Sequence, residues 1–397
     1  MLHMIIGGAG CGKSTRLMER VQAQVDAGER VITLVPEQFS YEFDQKLYRI
    51  LGPKAFNQLE THSFKSLARS VFQRFGCVPD GRKNADELTR MALLYQAVTA
   101  VSEREKKLRL LGRQCRQTSF LSELSAMFAQ FRRNGIQPEQ LYSSSALLNG
   151  RLQEKMLDMF EIYQKYDQFL AQHRLKDTET DLTEAAVIAN GQDAFLGDVV
   201  CLDEFESFTE DEYAMLDVLL SSCKEVYIAL RIDSTSAAPF SLFETVQGTM
   251  LRLKQLAAKL HISVETERCE TPYRFQSEEL RWLNQHIFRN TLPFTGDAPH
   301  LHILEAQSPE EEANYVCATI RRMLAQDTTL RCRDVAVLSN QMSDYKSILE
   351  TAMERYALPY YMDEKESMCY TPFLVYLHTL LGLSLIHISE PTRPISI

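Results

Sequence analysis

The chain has no run of about 18 uninterrupted apolar residues, so no ordinary membrane-spanning helix is predicted. It has no CxxC pair either. Its nine cysteines stand singly at positions 11, 77, 115, 201, 223, 269, 317, 332 and 369. That scatter indicates neither a zinc site nor a disulfide framework. Cys201 lies in the apolar run "VVCLDE", where a reduced thiol packs as a small hydrophobe, and the reading is a reducing cytoplasm. Positive charge is in deficit, with 43 Lys and Arg against 53 Asp and Glu, a net charge of −10. Such a balance does not advertise a nucleic-acid binder. Also absent are a GxSxG nucleophile elbow, an HExxH metal motif, an internal repeat and a low-complexity segment. The start passes from Met1 straight into an apolar stretch, without the basic segment, long apolar core and cleavage site of a signal peptide.

What is present is a globular composition, 45% hydrophobic and 24% charged over 397 residues. That length fits roughly two or three domains with real cores. One stretch departs from the acidic average: residues 101–116 carry six Lys/Arg against two Glu, and Arg132 and Arg133 follow. It could track phosphates, and a solvated helix face accounts for it equally well.

The first sixty residues read as βαβ. "LHMII" is a short strand, Ser14 to Asp26 a helix stopped at Gly28, and "RVITLV" a buried strand ending at Pro36. Parallel strands joined by a crossover helix predict a doubly wound α/β domain. From Arg82 to Glu184 the pattern becomes all-helical. Leu88, Met91, Tyr95 and Val98 form one stripe; Leu121, Leu124, Phe128 and Phe131 a second; Met156, Met159, Tyr163, Tyr166 and Leu170 a third. All three are expected to be packing faces. The α/β character returns with "DVVCLDEF" and "EVYIALRID". After a polar stretch from Thr271 to Pro299, "LHILEA", "DVAVLS" and "LPYYMD" predict strands of a second α/β unit, with helices over Pro309–Ala325 and Asp344–Tyr356.

The motif that carries chemistry is Gly7-Gly8-Ala9-Gly10-Cys11-Gly12-Lys13-Ser14, followed by Thr15, which fits GxxxxGK[ST]. Glycines let successive backbone N–H groups turn inward around phosphate oxygens, and the following helix adds the positive end of its dipole. Lys13 would reach the β/γ-phosphates of ATP and Ser14 would ligate Mg²⁺. Such a loop wants an acidic partner at a neighbouring strand end. "VVCLDE" supplies Asp203 for Mg²⁺ and Glu204 as a candidate catalytic carboxylate polarising the attacking water. Two surface acids ending a strand are the plain alternative. His300 and His302 in "HLHI" would share a strand face but lack a third ligand, and "KDTETDLTEA" is accounted for by helix capping and first-turn dipole effects.

At this point the chain resembles a known family, the N-terminal part of the B subunit of the bacterial ATP-dependent helicase/deoxyribonuclease AddAB. The likeness is carried by the P-loop at the start, then "LVPEQFSYEFDQKL", "THSFKSLARSVF", "FLSELSAMFAQFRRNGIQPEQL" and "KMLDMFEIYQKYDQFL". It continues through "FESFTEDEYAMLDVLL", "PEEEANYVCATIRRML" and "LPYYMDEKESM". The resemblance implies a superfamily 1 helicase-like fold of two RecA-like α/β domains with an all-helical insertion. The expected divisions are a first RecA-like half over 1–81, the insertion over 82–184, the rest of that domain over 185–270, and the start of a second, incomplete RecA-like domain over 271–383. It further implies an AddA-type partner subunit, DNA ends and single strands as substrate, no membrane, and double-strand break repair in the cytoplasm. Thr61, His62 and Ser63 of "THSF" become candidate DNA contacts, against the alternative of an ordinary helix N-cap.

The departures matter as much. Only six residues precede Gly7, which leaves no glutamine motif for adenine. "STSAAP" follows "VYIALRID" in place of a GDxxQ-like sequence, and Asn340 stands where relatives often carry an arginine. Against these, Glu204 keeps an acidic pair that family members often reduce to Asp-Gly. The balance predicts a site that binds ATP and hydrolyses it poorly, with the motor supplied by the partner. An autonomous ATP-driven DNA translocase is the alternative, and a P-loop small-molecule kinase a more distant one. Residues 384–397, "SLIHISEPTRPISI", read as translated sequencing adapter. On the resemblance, the nuclease domain with its cysteine-bound iron–sulfur cluster belongs to a missing C-terminal part, and none of these nine cysteines is assigned to that cluster.

Overall fold

The computed structural model describes residues 1–56, 59–75, 82–104, 108–111, 117–177, 180–232, 242–287, 293–362, 368 and 371–389. Cys77, Cys115, Cys369, half of the basic stretch 101–116, the "STSAAP" segment and residues 390–397 lie outside them. The chain forms two compact units, Met1–Asp297 and Ala298–Ile397.

The first unit begins with β1 (Leu2–Gly7), α1 (Lys13–Asp26), β2 (Val31–Leu34), α2 (Ser40–Phe56, broken at Gly52), β3 (Leu59–His62) and α3 (Phe64–Phe75). A two-residue parallel pair, β4 (Lys83–Asn84) with β5 (Leu175–Lys176), brackets the α-helices α4 (Glu87–Thr99), α5 (Thr118–Arg133), α6 (Pro138–Ser145) and α7 (Arg151–Gln172). Then come α8 (Asp181–Gly191), β6 (Val199–Leu202), α9 (Glu210–Ser222), β7 (Glu225–Arg231), α10 (Glu244–Lys259), β8 (Val264–Cys269) and α11 (Glu278–His286). Six strands make one parallel sheet in the order β3-β2-β6-β7-β1-β8.

Alternation along the strands divides the core in two. Leu2, Met4, Ile6, Val200, Leu202, Val226, Ile228 and Leu230 point into one layer with α3, α8, α9 and α10. Ile5, Val31, Val199, Cys201, Tyr227 and Ala229 point into the other with α1 and α2. A sheet covered on both faces needs near-continuous apolar strands, and "VITL", "VVCL" and "VYIAL" provide them. The edge strand β8, "VETERC", is mostly exposed and correspondingly polar.

The helices between β4 and β5 enclose a separate apolar cluster. Two of the three predicted stripes pack there: Leu121, Leu124 and Phe128 from α5, and Met159, Tyr163, Tyr166 and Leu170 from α7 are buried. The first stripe is corrected. Its Val98 is buried and its Met91 packs against the cluster, but Leu88 and Tyr95 are exposed, and α4 buries Leu93, Leu94 and Ala97 in their place. The run "MALLYQAV" is apolar on several faces, so spacing alone could not choose between them.

In the second unit, α12 (Pro309–Gln326) and α13 (Met342–Arg355) fall where helices are expected and pack through Ala313, Cys317, Ile320, Leu349, Ala352 and Met353. α14 (Pro372–Ser389) follows. The three predicted strands are not found: no described residue of "LHILEA", "DVAVLS" or "LPYYMD" joins a ladder. A strand is held by a neighbour's N–H and C=O groups. These stretches supply one another with none, and Ile303, Leu338 and Tyr361 remain exposed. His300 and His302 are both exposed as well, on no strand face.

One buried acid organises the helical layer. Asp158 of α7 is fully buried, and its carboxylate accepts the backbone N–H groups of Arg109, Leu110 and Leu111 at 2.8, 2.8 and 2.9 Å. Removing it would strand three donors. Asp158→Ala is expected to lower unfolding free energy by about 2–4 kcal/mol. A urea denaturation midpoint equal to that of the wild type would contradict this.

Candidate nucleotide site

The GxxxxGK[ST] segment connects β1 to α1 at the carboxyl end of the sheet, where ligands of parallel α/β folds collect. Its glycines have local reasons. Gly10 and Gly12 sit at φ +73° and +81°, backbone that favours residues without a Cβ. A Cβ on Gly10 would fall 2.5 Å from Cβ of Arg274, and one on Gly7 2.5 Å from the carbonyl oxygen of Cys269. The backbone beyond β8 therefore lies directly on the loop, and the Arg274 N–H donates to the Gly10 carbonyl at 3.3 Å. Two ion pairs hold α1 against β8: Glu267 accepts Arg16 at 2.6 Å and Arg20 at 3.1 Å.

The loop borders a cavity of about 1400 Å³. Ala9 through Thr15 contribute to its wall, as do Asp203 and Glu204 from the end of β6. Lys13 folds back, donating from Nζ to the Gly8 carbonyl at 2.7 Å. Burial lowers its pKa, Cys11, Asp203 and Glu204 draw it upward, and Arg231 lowers it further.

Asp203 is only 3% exposed. Burial raises its pKa to about 6, the Glu204 charge adds to the rise, and Ser14, the Glu204 N–H and Lys13 oppose it. Its Oδ1 accepts the Glu204 N–H at 2.9 Å, while Oδ2 is buried with no hydrogen-bond partner. Glu204 achieves that contact at φ +63°, in left-handed backbone that costs a non-glycine residue about 1 kcal/mol. An orphaned carboxylate oxygen in a cavity that Ser14 also lines fits a hard, oxygen-seeking divalent cation. Among the described residues no three His, Cys, Asp or Glu side chains group to hold a metal. A Mg²⁺ here would be held by Ser14 and Asp203 and would complete its shell from phosphate and water.

Sequence reasoning misses other residues of the wall. Arg231 ends β7, Arg268 lies in β8, and Tyr273 and Arg274 follow it. Tyr273 is 72% exposed, its ring 3.6 Å from where a Gly12 Cβ would lie. The signal for the last two is "TPYRF", an aromatic and a cation just after a strand, but along the chain it is indistinguishable from the polar stretch around it.

Thr61, His62 and Ser63 do not line the cavity. They occupy the carboxyl end of β3, the opposite edge of the sheet from β8. The Thr61 and Thr33 hydroxyls are 2.8 Å apart, His62 lies 3.2 Å from Glu60, and Ser63 Oγ accepts the Ser66 N–H at 3.3 Å. Ser63 is thus a cap for α3, the alternative noted above.

Two outcomes are expected. Gly10→Ala meets both the Arg274 clash and a disfavoured φ, and should weaken nucleotide binding at least tenfold by equilibrium titration, on the order of 1.4 kcal/mol. Asp203 also sets a pH dependence. Its folded pKa lies above the ordinary 3.8, so the native state holds the proton more tightly than the unfolded chain, and stability falls as pH rises from about 4 to about 6. Asp203→Asn should abolish that decline and raise unfolding free energy at pH 7 by about 1–3 kcal/mol. A urea series from pH 4 to 7 showing identical slopes for variant and wild type would contradict it.

Comparison with known proteins places the sequence in a family. A family model described as "ADDB, N-terminal" matches residues 4–284. The chain is 26% identical over 394 residues to the B subunit of the ATP-dependent helicase/deoxyribonuclease of Thermoanaerobacter sp. (strain X514), covering 97% of this chain and 34% of that protein. It is 26% identical over 398 residues to the protein of the same name from Clostridium tetani (strain Massachusetts / E88), covering 95% and 33%. For Staphylococcus aureus (strain Newman) the figures are 25% over 390 residues, 96% and 32%. The chain spans about a third of the length of the curated relatives it matches. Since the family model covers most of its residues, the chain belongs to the ADDB, N-terminal family.

Proposed function

We propose that this chain is the nucleotide-binding, helicase-like part of the B subunit of a heterodimeric ATP-dependent helicase/nuclease that processes DNA double-strand breaks for recombinational repair. Its first unit acts as a RecA-like P-loop domain with a helical insertion, binding ATP with Mg²⁺ in the cytoplasm beside an AddA-type subunit. The observation that carries this reading is the Asp203 Oδ2 atom, buried without a hydrogen-bond partner on an acid that shares one cavity with Ser14 and the loop that presents Lys13. Mg²⁺ supplies charge neutralisation of the phosphates when bound. The chain's own residues do the rest: loop N–H groups and Lys13 hold phosphate, Asp203 and Ser14 hold the ion, and the exposed Tyr273 ring offers a face for the base.

DNA is contacted at the carboxyl ends of the strands, with Thr61, His62 and Ser63 on the far edge as candidates. Hydrolysis at this site is slow, and Glu204 serves as its catalytic carboxylate. The iron–sulfur cluster of the complex lies outside this chain. One observation favours the alternative of an autonomous translocase: Arg231 and Arg274 both reach the cavity wall, so the site has cations despite Asn340.

Lys13→Ala in the full-length heterodimer separates the two. Nucleotide affinity at this site should fall more than tenfold, on the order of 1.5–3 kcal/mol for a charged hydrogen bond, while unwinding stays within about twofold. Loss of unwinding would establish the translocase. Unchanged nucleotide binding would sink both.

A further inference from the structure

Arg231 is the last residue of β7 and pairs in register with Gly7, from which the phosphate loop departs. Its place follows from the alternation of the strand. Val226, Ile228 and Leu230 face the layer of α9 and α10, whereas Tyr227 and Ala229 face the layer of α1. Arg231 continues the second series, on the side that carries Lys13. The Ile232 N–H donates to the Gly7 carbonyl at 3.1 Å and fixes the strand end against the loop. In the sheet, β7 lies between β1 and β6, so Arg231 emerges between the phosphate loop and Asp203.

That position has a chemical consequence. The loop N–H groups cradle the α- and β-phosphates. A terminal phosphate beyond them would share the cavity with the acids that follow β6 and with the end of β7, which lies between β1 and β6. The Arg231 guanidinium forms an ion pair with Glu206, which also lines the cavity, and the two side chains are 54% and 58% exposed. An exposed ion pair is a weak competitor. A phosphate, taken bidentately by the planar guanidinium, is a strong one.

We infer that Arg231 is a γ-phosphate sensor, exchanging Glu206 for the terminal phosphate of a bound nucleoside triphosphate and finding no such partner on a diphosphate. This rests on the nucleotide reading above and adds to it a residue that discriminates between the two nucleotide states.

The test is a fluorescence titration of the intact chain with mantAMPPNP and mantADP, each with Mg²⁺. Arg231→Ala should weaken mantAMPPNP binding about ten- to hundredfold and leave mantADP within about twofold. Arg231→Lys should recover part of the loss, since it keeps charge without the fork. Glu206→Gln should tighten mantAMPPNP a few-fold by removing the competitor. Equal changes for both nucleotides, or a change in neither, would overturn the inference. If the wild-type chain binds neither nucleotide, the nucleotide reading itself fails, a result distinct from loss of discrimination.

Discussion

The register of the parallel sheet decides which charges can meet in the first unit. Gly7 stands beside Arg231 and beside Cys269, while Leu202 stands beside Ile228. The ends of β6, β7 and β8 therefore all border the cavity that holds the loop after β1. Because the sheet is buried on both faces, a slip of one residue would drive Ile5 and Ile6 into each other's layers and reverse every buried side chain of β1. The core thus protects the register, and the register delivers Lys13, Asp203 and Arg231 to one cavity.

Against that rigid background, several residues at or beside the cavity carry local costs. Asp203 is a carboxylate kept from water with one oxygen unpaired. Glu204 sits in left-handed backbone, and Gly7 and Gly10 have no room for a side chain. Such local costs persist where the surrounding structure over-determines them, and they cluster at functional sites. The adjoining contacts are what over-determine them here: the Asp203 N–H donates to the Leu34 carbonyl, and Arg16 and Arg20 tie α1 to Glu267 of the edge strand.

Legibility in the sequence followed burial. Strands covered on both faces declare themselves as apolar runs, which is why β1, β2, β6 and β7 could be read directly. The edge strand β8 has the pattern of a solvated segment, so neither it nor the Tyr273–Arg274 pair that it positions was visible. Arg231 stood in plain view at the end of "EVYIALR", yet its importance depends on which strand lies next to β1, and spacing along one chain does not encode strand order. In the second unit the opposite error occurred. Apolar composition without a paired neighbour makes no strand, as Ile303 and Leu338 show. The P-loop was legible because its chemistry is local: one strand end, one loop and one helix start, all within fifteen residues.

Membership of the ADDB, N-terminal family connects this cavity with proteins named as subunits of an ATP-dependent helicase/deoxyribonuclease. The central claim is narrower and chemical: a cation-assisted nucleotide site completed by Asp203. Isothermal titration of ATP into the chain, with Mg²⁺ and then with EDTA, tests it most directly. The account predicts saturable one-to-one binding with Mg²⁺ that weakens at least tenfold when the metal is chelated. Absence of binding, or an affinity indifferent to Mg²⁺, would contradict it.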